Sequence, residues 1–208
     1  MAYRLDPARP LPAELDRIVD EQLGRAARRL EGHVDDGDVH DVRKRIKKAR
    51  SLLRLARAGL GDDRRDANDR LRAVANGLGG ARDAAADVEA VDALLRRAPA
   101  DQVTSVAVLR ERLAAIAAEA GGHRATAVDP HLAAEAAREL RAVARSLRPA
   151  HSRVTGWRDL EPGLERQYRL GREHLAGLGR SPTAEALHDW RKRAKDLGYH
   201  ALLLRGLW

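Results

Sequence analysis

The sequence predicts an all-α fold, a helical bundle of about eight helices. Residues that favour strands are scarce, since aromatic residues make up 3% of the 208 residues and phenylalanine is absent. Apolar residues recur instead at the spacing of three and four that places them on one side of a helix, as between Val103 and Ile116. Residues that begin and end helices also punctuate the whole chain.

The first half, about 12–98, is predicted to contain four helices. Pro12 suits the first turn of a helix, and Gly32 follows the last apolar residues of that segment. Asp38 is the predicted N-cap of the second helix, which ends before Gly59. The predicted helices cover about 12–31, 39–58, 62–78 and 81–98.

The second half, about 100–208, is predicted to contain the other four. Asp129 followed by Pro130 is a cap followed by a proline in the first turn, and Ser181 with Pro182 repeats the pattern. Pro149 is expected to end the sixth helix, and a connection of about ten residues is expected to follow it. The predicted helices cover about 100–120, 129–147, 161–177 and 181 to the end.

Charge and composition limit the classes of function. The net charge is +8 and the pI is near 10.5, which favours polyanionic partners. Cysteine is absent, which excludes thiol chemistry and disulfides. The N-terminus has no apolar leader and no segment has eighteen uncharged apolar residues, so we expect a soluble cytoplasmic protein with no membrane association.

A short segment occurs twice. Residues 40–47 (HDVRKRIK) and 188–195 (HDWRKRAK) lie 148 residues apart and are identical at six of eight positions. All five lysines fall in or next to these segments, whereas the other 34 basic residues are arginine. We interpret this as an internal duplication within one domain, 1–208, with two pseudo-symmetric halves. The second copy lies close to the C-terminus, so the second half is expected to be truncated or to be completed by another chain in an oligomer.

Each copy is predicted to form a helix with a basic stripe opposite an apolar face. In the first copy the apolar face is Val42, Ile46, Ala49, Leu53 and Ala56, and in the second it is Trp190, Ala194, Leu197 and Ala201. The aspartates beside the two histidines are predicted to stand off the stripe and to leave it unneutralised. A single basic run is usually a solvated helix face, but a duplicated one predicts a groove for a linear polyanion.

The duplicated His-Asp-x-Arg-Lys-Arg-x-Lys segments in a basic helical chain resemble the CHAD family, the conserved histidine α-helical domain. Leu78-Gly79-Gly80-Ala81-Arg82-Asp83 is similar to that family's Leu-Gly-x-x-Arg-Asp turn. The resemblance covers most of the chain. It implies two four-helix halves, binding of inorganic polyphosphate in a basic furrow between them, and association with polyphosphate granules.

The resemblance also implies a set of polyphosphate-binding residues. Gly198 and Leu202 replace the basic residues that correspond to Arg50 and Arg54, so the second side of the furrow is expected to be weaker. The implied set is His40, Arg43, Lys44, Lys47, Arg50, Arg54, Arg82, His188, Arg191, Lys192 and Lys195.

The sequence also allows alternatives to polyphosphate binding to be compared. Neighbouring His and Asp residues diverge by about 100° on a helix and cannot converge on a metal, so we predict no metal site. The sequence has no cysteine and no serine in a recognisable nucleophile elbow, so we predict no catalytic residues, and we predict no cofactor. Nucleic-acid binding is the first alternative, although exposed aromatic residues for base stacking are too few. An enzyme acting on polyphosphate or triphosphates is the second, and it would need carboxylates at the furrow to hold Mg²⁺.

Overall fold

The structure, a computed structural model, describes residues 3–78, 107, 108, 110, 111, 128–178 and 183–207. The described residues are helical and contain no strand, which confirms the predicted all-α bundle. They form seven helices, one fewer than predicted: α1 (Leu11–Arg29), α2 (Asp36–Leu55), α3 (Arg57–Leu60), α4 (Asp63–Gly77), α5 (Pro130–His151), α6 (Trp157–Ala176) and α7 (Ala184–Leu204).

The first half of the bundle follows the prediction closely. The predicted helices over 12–31, 39–58 and 62–78 correspond to α1, α2 and α4. The short helix α3 was not predicted, and it ends at Gly61, whose φ of 55° lies in the left-handed region that favours glycine. The predicted helix over 81–98 lies outside the described residues, and so does nearly all of the one over 100–120.

Proline positions account for two errors in the second half. Pro149 does not end α5, which continues to His151. Pro162 lies inside α6, which begins at Trp157, so the connection before it is shorter than the ten residues predicted. A proline inside a helix removes its own N–H from the ladder and its ring crowds the carbonyl four residues earlier, which explains the prediction, but both helices continue through the proline.

The caps of α2 and α7 differ from those predicted. Asp35 caps α2 and accepts from the Asp38 backbone N–H at 2.8 Å, while the Asp38 side chain accepts from the Asp35 N–H at 3.3 Å. Asp38 is therefore the third residue of the helix and the reciprocal member of a capping box. Thr183, rather than Ser181, caps α7 through the Ala186 N–H at 3.1 Å.

The core lies between α2 and the helices around it. Helix α2 packs against α1, α4, α6 and α7, and α5 packs against both α1 and α4. The apolar residues Val42, Ile46, Ala49 and Leu53 of α2 are all buried, as predicted. No helix within the described residues is long and apolar enough to cross a membrane.

Helix α7, which carries the second copy of the repeat, is less completely covered by other helices than α2, which carries the first. Ala194 and Ala201, predicted to be buried, are exposed, and Trp190 and Leu197 are half-buried. The buried residues of α7 are His200, Leu203 and Leu204. The reason lies in packing: the described residues place α4 against α2 and place no corresponding helix against α7.

Candidate functional site: a basic furrow

The two repeat helices, α2 and α7, contact each other near their C-terminal ends. The Ser51 hydroxyl donates to the Asp196 carbonyl at 3.3 Å, and the His200 Nε2–H donates to the Ser51 carbonyl at 2.9 Å. The Arg54 guanidinium donates to the Asp196 carboxylate at 2.5 Å. These contacts hold the second copy of the repeat beside the first, although 148 residues separate them in sequence.

The turns that precede this contact line a cleft, which we call the furrow. It has a volume of about 690 Å³ and lies between α2, α4 and α7. Its lining contains nine cationic side chains and two carboxylates. The lining residues are Arg43, Lys47, Arg50, Arg54, Arg72, Asn76, His188, Asp189, Arg191, Lys192, Arg193, Lys195, Asp196 and Tyr199.

Most of the predicted binding residues meet in the furrow. From α2 these are Arg43, Lys47, Arg50 and Arg54, and from α7 they are His188, Arg191, Lys192 and Lys195. The structure places His40 and Lys44 outside the furrow lining. Lys44 instead lies 3.2 Å from Asp41, one turn earlier in the same helix. Arg82 lies outside the described residues.

Two repeat helices thus line one cleft. In addition, almost the whole chain matches the model of a known protein family. A family model described as "CHAD domain" matches residues 17–208. The chain belongs to the CHAD domain family. No curated protein and no solved structure matches the chain significantly.

The furrow of this CHAD domain contains residues that sequence reasoning missed. Arg72 and Asn76 come from α4, and nothing in their sequence indicates that α4 borders the furrow. Arg193 belongs to the duplicated segment, so the repeat itself could have identified it. Gln167 of α6 lies beneath this part of α7 and donates to the Arg193 carbonyl at 3.5 Å.

The prediction that the aspartates leave the stripe unneutralised is wrong. Asp189 lies 2.9 Å from Lys192, and this contact lowers the pKa of the carboxyl below its usual value. Asp41 pairs with Lys44 and with Arg45, whose Nε lies 2.6 Å from its carboxylate. Side chains three and four residues apart lie on the same side of a helix, which explains these pairs. They still leave the furrow with a surplus of seven cations.

The floor of the furrow is strongly cationic and partly dehydrated. Burial lowers the pKa of the Arg50 guanidinium, and the neighbouring charge of Arg54 lowers it further. Arg50 Nε donates to the Asn68 side-chain oxygen at 2.9 Å, which holds it against α4. The Nε atoms of Arg54 and Arg193 are buried and have no hydrogen-bond partner among the described residues. Unpaired buried donors are costly to stability.

Two further groups fix the closed end of the furrow, where α2 and α7 meet. His200 is fully buried beneath it, and burial lowers its pKa to about 4. Its imidazole is therefore neutral at pH 7 and serves as a hydrogen-bond donor to Ser51. Tyr199 packs edge-on against Tyr3 with ring centroids 6.3 Å apart, and the Tyr3 hydroxyl donates to the Lys48 carbonyl at 2.8 Å. The N-terminal segment thus helps to hold the two repeat helices together.

The part of the chain that the structure describes contains no assembled metal site. No three His, Asp or Glu residues there lie close enough together to hold an ion.

Proposed function

We propose that this CHAD domain binds inorganic polyphosphate in the furrow and does not break it down. The observation that carries the proposal is the convergence of cations from both repeat helices on one cleft of about 690 Å³. Like charges held together lower stability, so a surplus of seven cations in one cleft favours a ligand of opposite charge. A linear polymer with a charge on every phosphate would contact many of them at once.

The chemistry of the lining favours phosphate oxygens over nucleobases. Arginine and lysine donors both bind phosphate, the first in a planar fork and the second as a point charge. Tyr199 is the single aromatic residue in the described lining, whereas single-stranded nucleic acid is usually bound by several stacking aromatics.

The non-catalytic part of the proposal rests on the two carboxylates of the furrow. Catalysis of phosphoryl transfer generally needs carboxylates that hold Mg²⁺ against the phosphates. Asp196 is paired with Arg54 at 2.5 Å and Asp189 with Lys192 at 2.9 Å. Each carboxylate therefore already has a cationic partner. We expect the chain length of polyphosphate to stay constant over hours with Mg²⁺ present, and shortening would contradict this part of the proposal.

The test of binding compares two double variants with the same change in charge. Lys47→Gln with Lys195→Gln removes one furrow cation from each repeat helix. Arg25→Gln with Arg148→Gln removes two exposed cations on α1 and α5, which pair with Glu21 at 3.0 Å and Asp20 at 2.8 Å. The pair of Arg148 with Asp20 is exposed and contributes little to stability. The Glu21 side chain is only 12% exposed, but it keeps Arg17 at 3.4 Å when Arg25 is replaced, so the control variant should fold.

Binding of long-chain polyphosphate should be measured by calorimetry over a series of salt concentrations. If about six charges are neutralised, the slope of log K against log salt should be near −4, by analogy with single-stranded nucleic acid. The furrow variant should flatten the slope by about 1.4, since two contacts are lost, and the control should not. Equal losses in both variants would mean that net charge alone drives binding. Equal affinity for duplex DNA at the same charge concentration would favour the nucleic-acid alternative.

Localisation follows from the same proposal. A cytoplasmic protein with this affinity should collect at polyphosphate granules. Fluorescence imaging of the tagged parent and the Lys47→Gln/Lys195→Gln variant would test this, because only the parent should be enriched there.

A further inference from the structure

Three arginines lie near the C-terminal end of α2, beside the closed end of the furrow. Arg57 belongs to α3, Arg64 to the first turn of α4 and Arg166 to α6. None of the three forms an ion pair within the part of the chain that the structure describes, and none of them lines the furrow. We call these residues the arginine cluster.

Backbone packing brings the cluster together. Helix α6 approaches the end of α2 so closely that a Cβ on Gly163 would lie 2.0 Å from the Leu55 carbonyl oxygen. Arg166 follows Gly163 by three residues and so lies on the same side of α6. Arg57 comes two residues after Leu55, in the short helix that packs against α6.

Electrostatics agree with this placement. Burial lowers the pKa of the Arg64 guanidinium, and the charges of Arg57, Arg65, Arg54 and Arg166 lower it further. These four charges act on Arg64 in the same direction as burial does. Such repulsion costs stability unless an anion lies between the groups.

Three carboxylates at the start of α4 pair with other cations. Asp62 lies 3.1 Å from Arg65, and Asp66 lies 3.3 Å from Arg70. Asp63 pairs with Arg153, which also donates to the Gly59 and Leu60 carbonyls. The cluster is thus left without a local counter-charge at the start of α4.

We propose that Arg57, Arg64 and Arg166 form a second anion-binding site, which takes further phosphoryl groups of a polyphosphate chain that lies in the furrow. Arg54 connects the two sites, because it lines the furrow and lies three residues before Arg57, at the end of α2. The identity of the ligand rests on the proposed function, whereas the site itself rests on the cluster.

The test compares Arg64→Gln with a control variant on α5, a helix that does not line the furrow. Arg64→Gln removes a cluster cation, and Arg148→Gln removes the same charge from a pair with Asp20, whose side chains are 58% and 41% exposed. For one lost phosphate contact, the affinity for long-chain polyphosphate should fall about eightfold at about 0.05 M salt, and the salt slope should flatten by about 0.7. Arg148→Gln should change the affinity by less than about twofold.

Two further measurements make the outcome decisive. Without ligand and at low salt, Arg64→Gln should unfold at a temperature no lower than the parent, because it removes repulsion; weaker binding then does not reflect misfolding. The Lys47→Gln/Lys195→Gln variant is measured in parallel. Equal affinities of Arg64→Gln and Arg148→Gln would overturn the second site, and a loss in the furrow variant alone would leave the proposed function intact. A loss in Arg64→Gln alone would support the cluster and contradict the furrow.

Discussion

Gly163→Ala should destabilise the protein strongly, because α6 and the end of α2 touch backbone to backbone at this glycine. An added Cβ would lie 2.0 Å from the Leu55 carbonyl oxygen and 2.7 Å from the Arg54 carbonyl oxygen. Ordinary contact begins at about 3.4 Å, so α6 must move by more than an ångström. No rotamer change can relieve a clash between a Cβ and a backbone oxygen.

Gly171→Ala, in the same helix, is the matched control. Nothing lies within 4 Å of a Cβ at Gly171. Replacing a helical glycine by alanine stabilises a helix by about 1 kcal/mol, and both variants share this gain. The difference between the two variants therefore measures the clash, for which overpacking costs of about 3 kcal/mol are expected.

Urea unfolding followed by circular dichroism would measure both free energies of unfolding. Gly171→Ala should raise the midpoint, and Gly163→Ala should lower it. Equal midpoints would mean that α6 does not approach α2 as the structure shows, and the placement of Arg166 would then fail as well.

Two other predictions concern the contact between α2 and α7. Asp196→Asn should strengthen polyphosphate binding, because the charge of Arg54 is no longer paired, and should lower the free energy of unfolding by about 1.5 kcal/mol, because the charged contact is lost. The control is Asp189→Asn, which should leave stability unchanged because the pair of Asp189 with Lys192 is exposed. Equal effects of the two substitutions on stability would contradict the role given to Asp196. The neutral His200 should make the protein sensitive to acid: its folded-state pKa of about 4 lies below the unfolded value of 6.5, so the unfolded chain takes up the proton first and stability falls as the pH drops from about 6.5 to 4. The pKa shift corresponds to about 3 kcal/mol of stability. His200→Gln keeps a donor for the Ser51 carbonyl and should lose less stability than the parent between pH 7 and pH 4.5, as measured by urea unfolding. An unchanged acid sensitivity would refute the role of His200 as the group that takes up the proton.

The sequence predicted well where α2 lies in the chain and which of its faces carries cations, because the spacing of residues along a helix determines both. The apolar residues Val42, Ile46 and Ala49 repeat at helical spacing, and this spacing alone fixes which side faces the core and which carries Arg43 and Lys47. The duplication then predicted that α7 would share the same site. Eight of the eleven predicted residues line the furrow for this reason.

The same rules failed where tertiary packing decides. Periodicity shows that Ala194 and Ala201 share a face of α7, but not whether another helix covers that face. It likewise cannot show that Arg72 of α4 reaches the furrow or that Asp196 meets Arg54, since both depend on how helices cross. Lys44 pairs with Asp41 and lies outside the furrow lining, whereas Lys192 makes the equivalent pair with Asp189 and lines it, so local pairing does not decide which lysine reaches the furrow.

The two copies of the repeat have diverged into different roles. Beyond the shared segment, Lys48, Arg50 and Arg54 of the first copy correspond to Asp196, Gly198 and Leu202 of the second. If both copies had kept these cations, guanidinium and ammonium groups would face each other where α2 and α7 touch, and the repulsion would oppose that contact.

Asp196 removes this repulsion by pairing with Arg54, and the uncharged Tyr199 and His200 beside it pack on Tyr3 and bond to Ser51. The second copy therefore has fewer cations in its C-terminal turns, where it contacts α2, and keeps its cations in the earlier turns, which line the furrow.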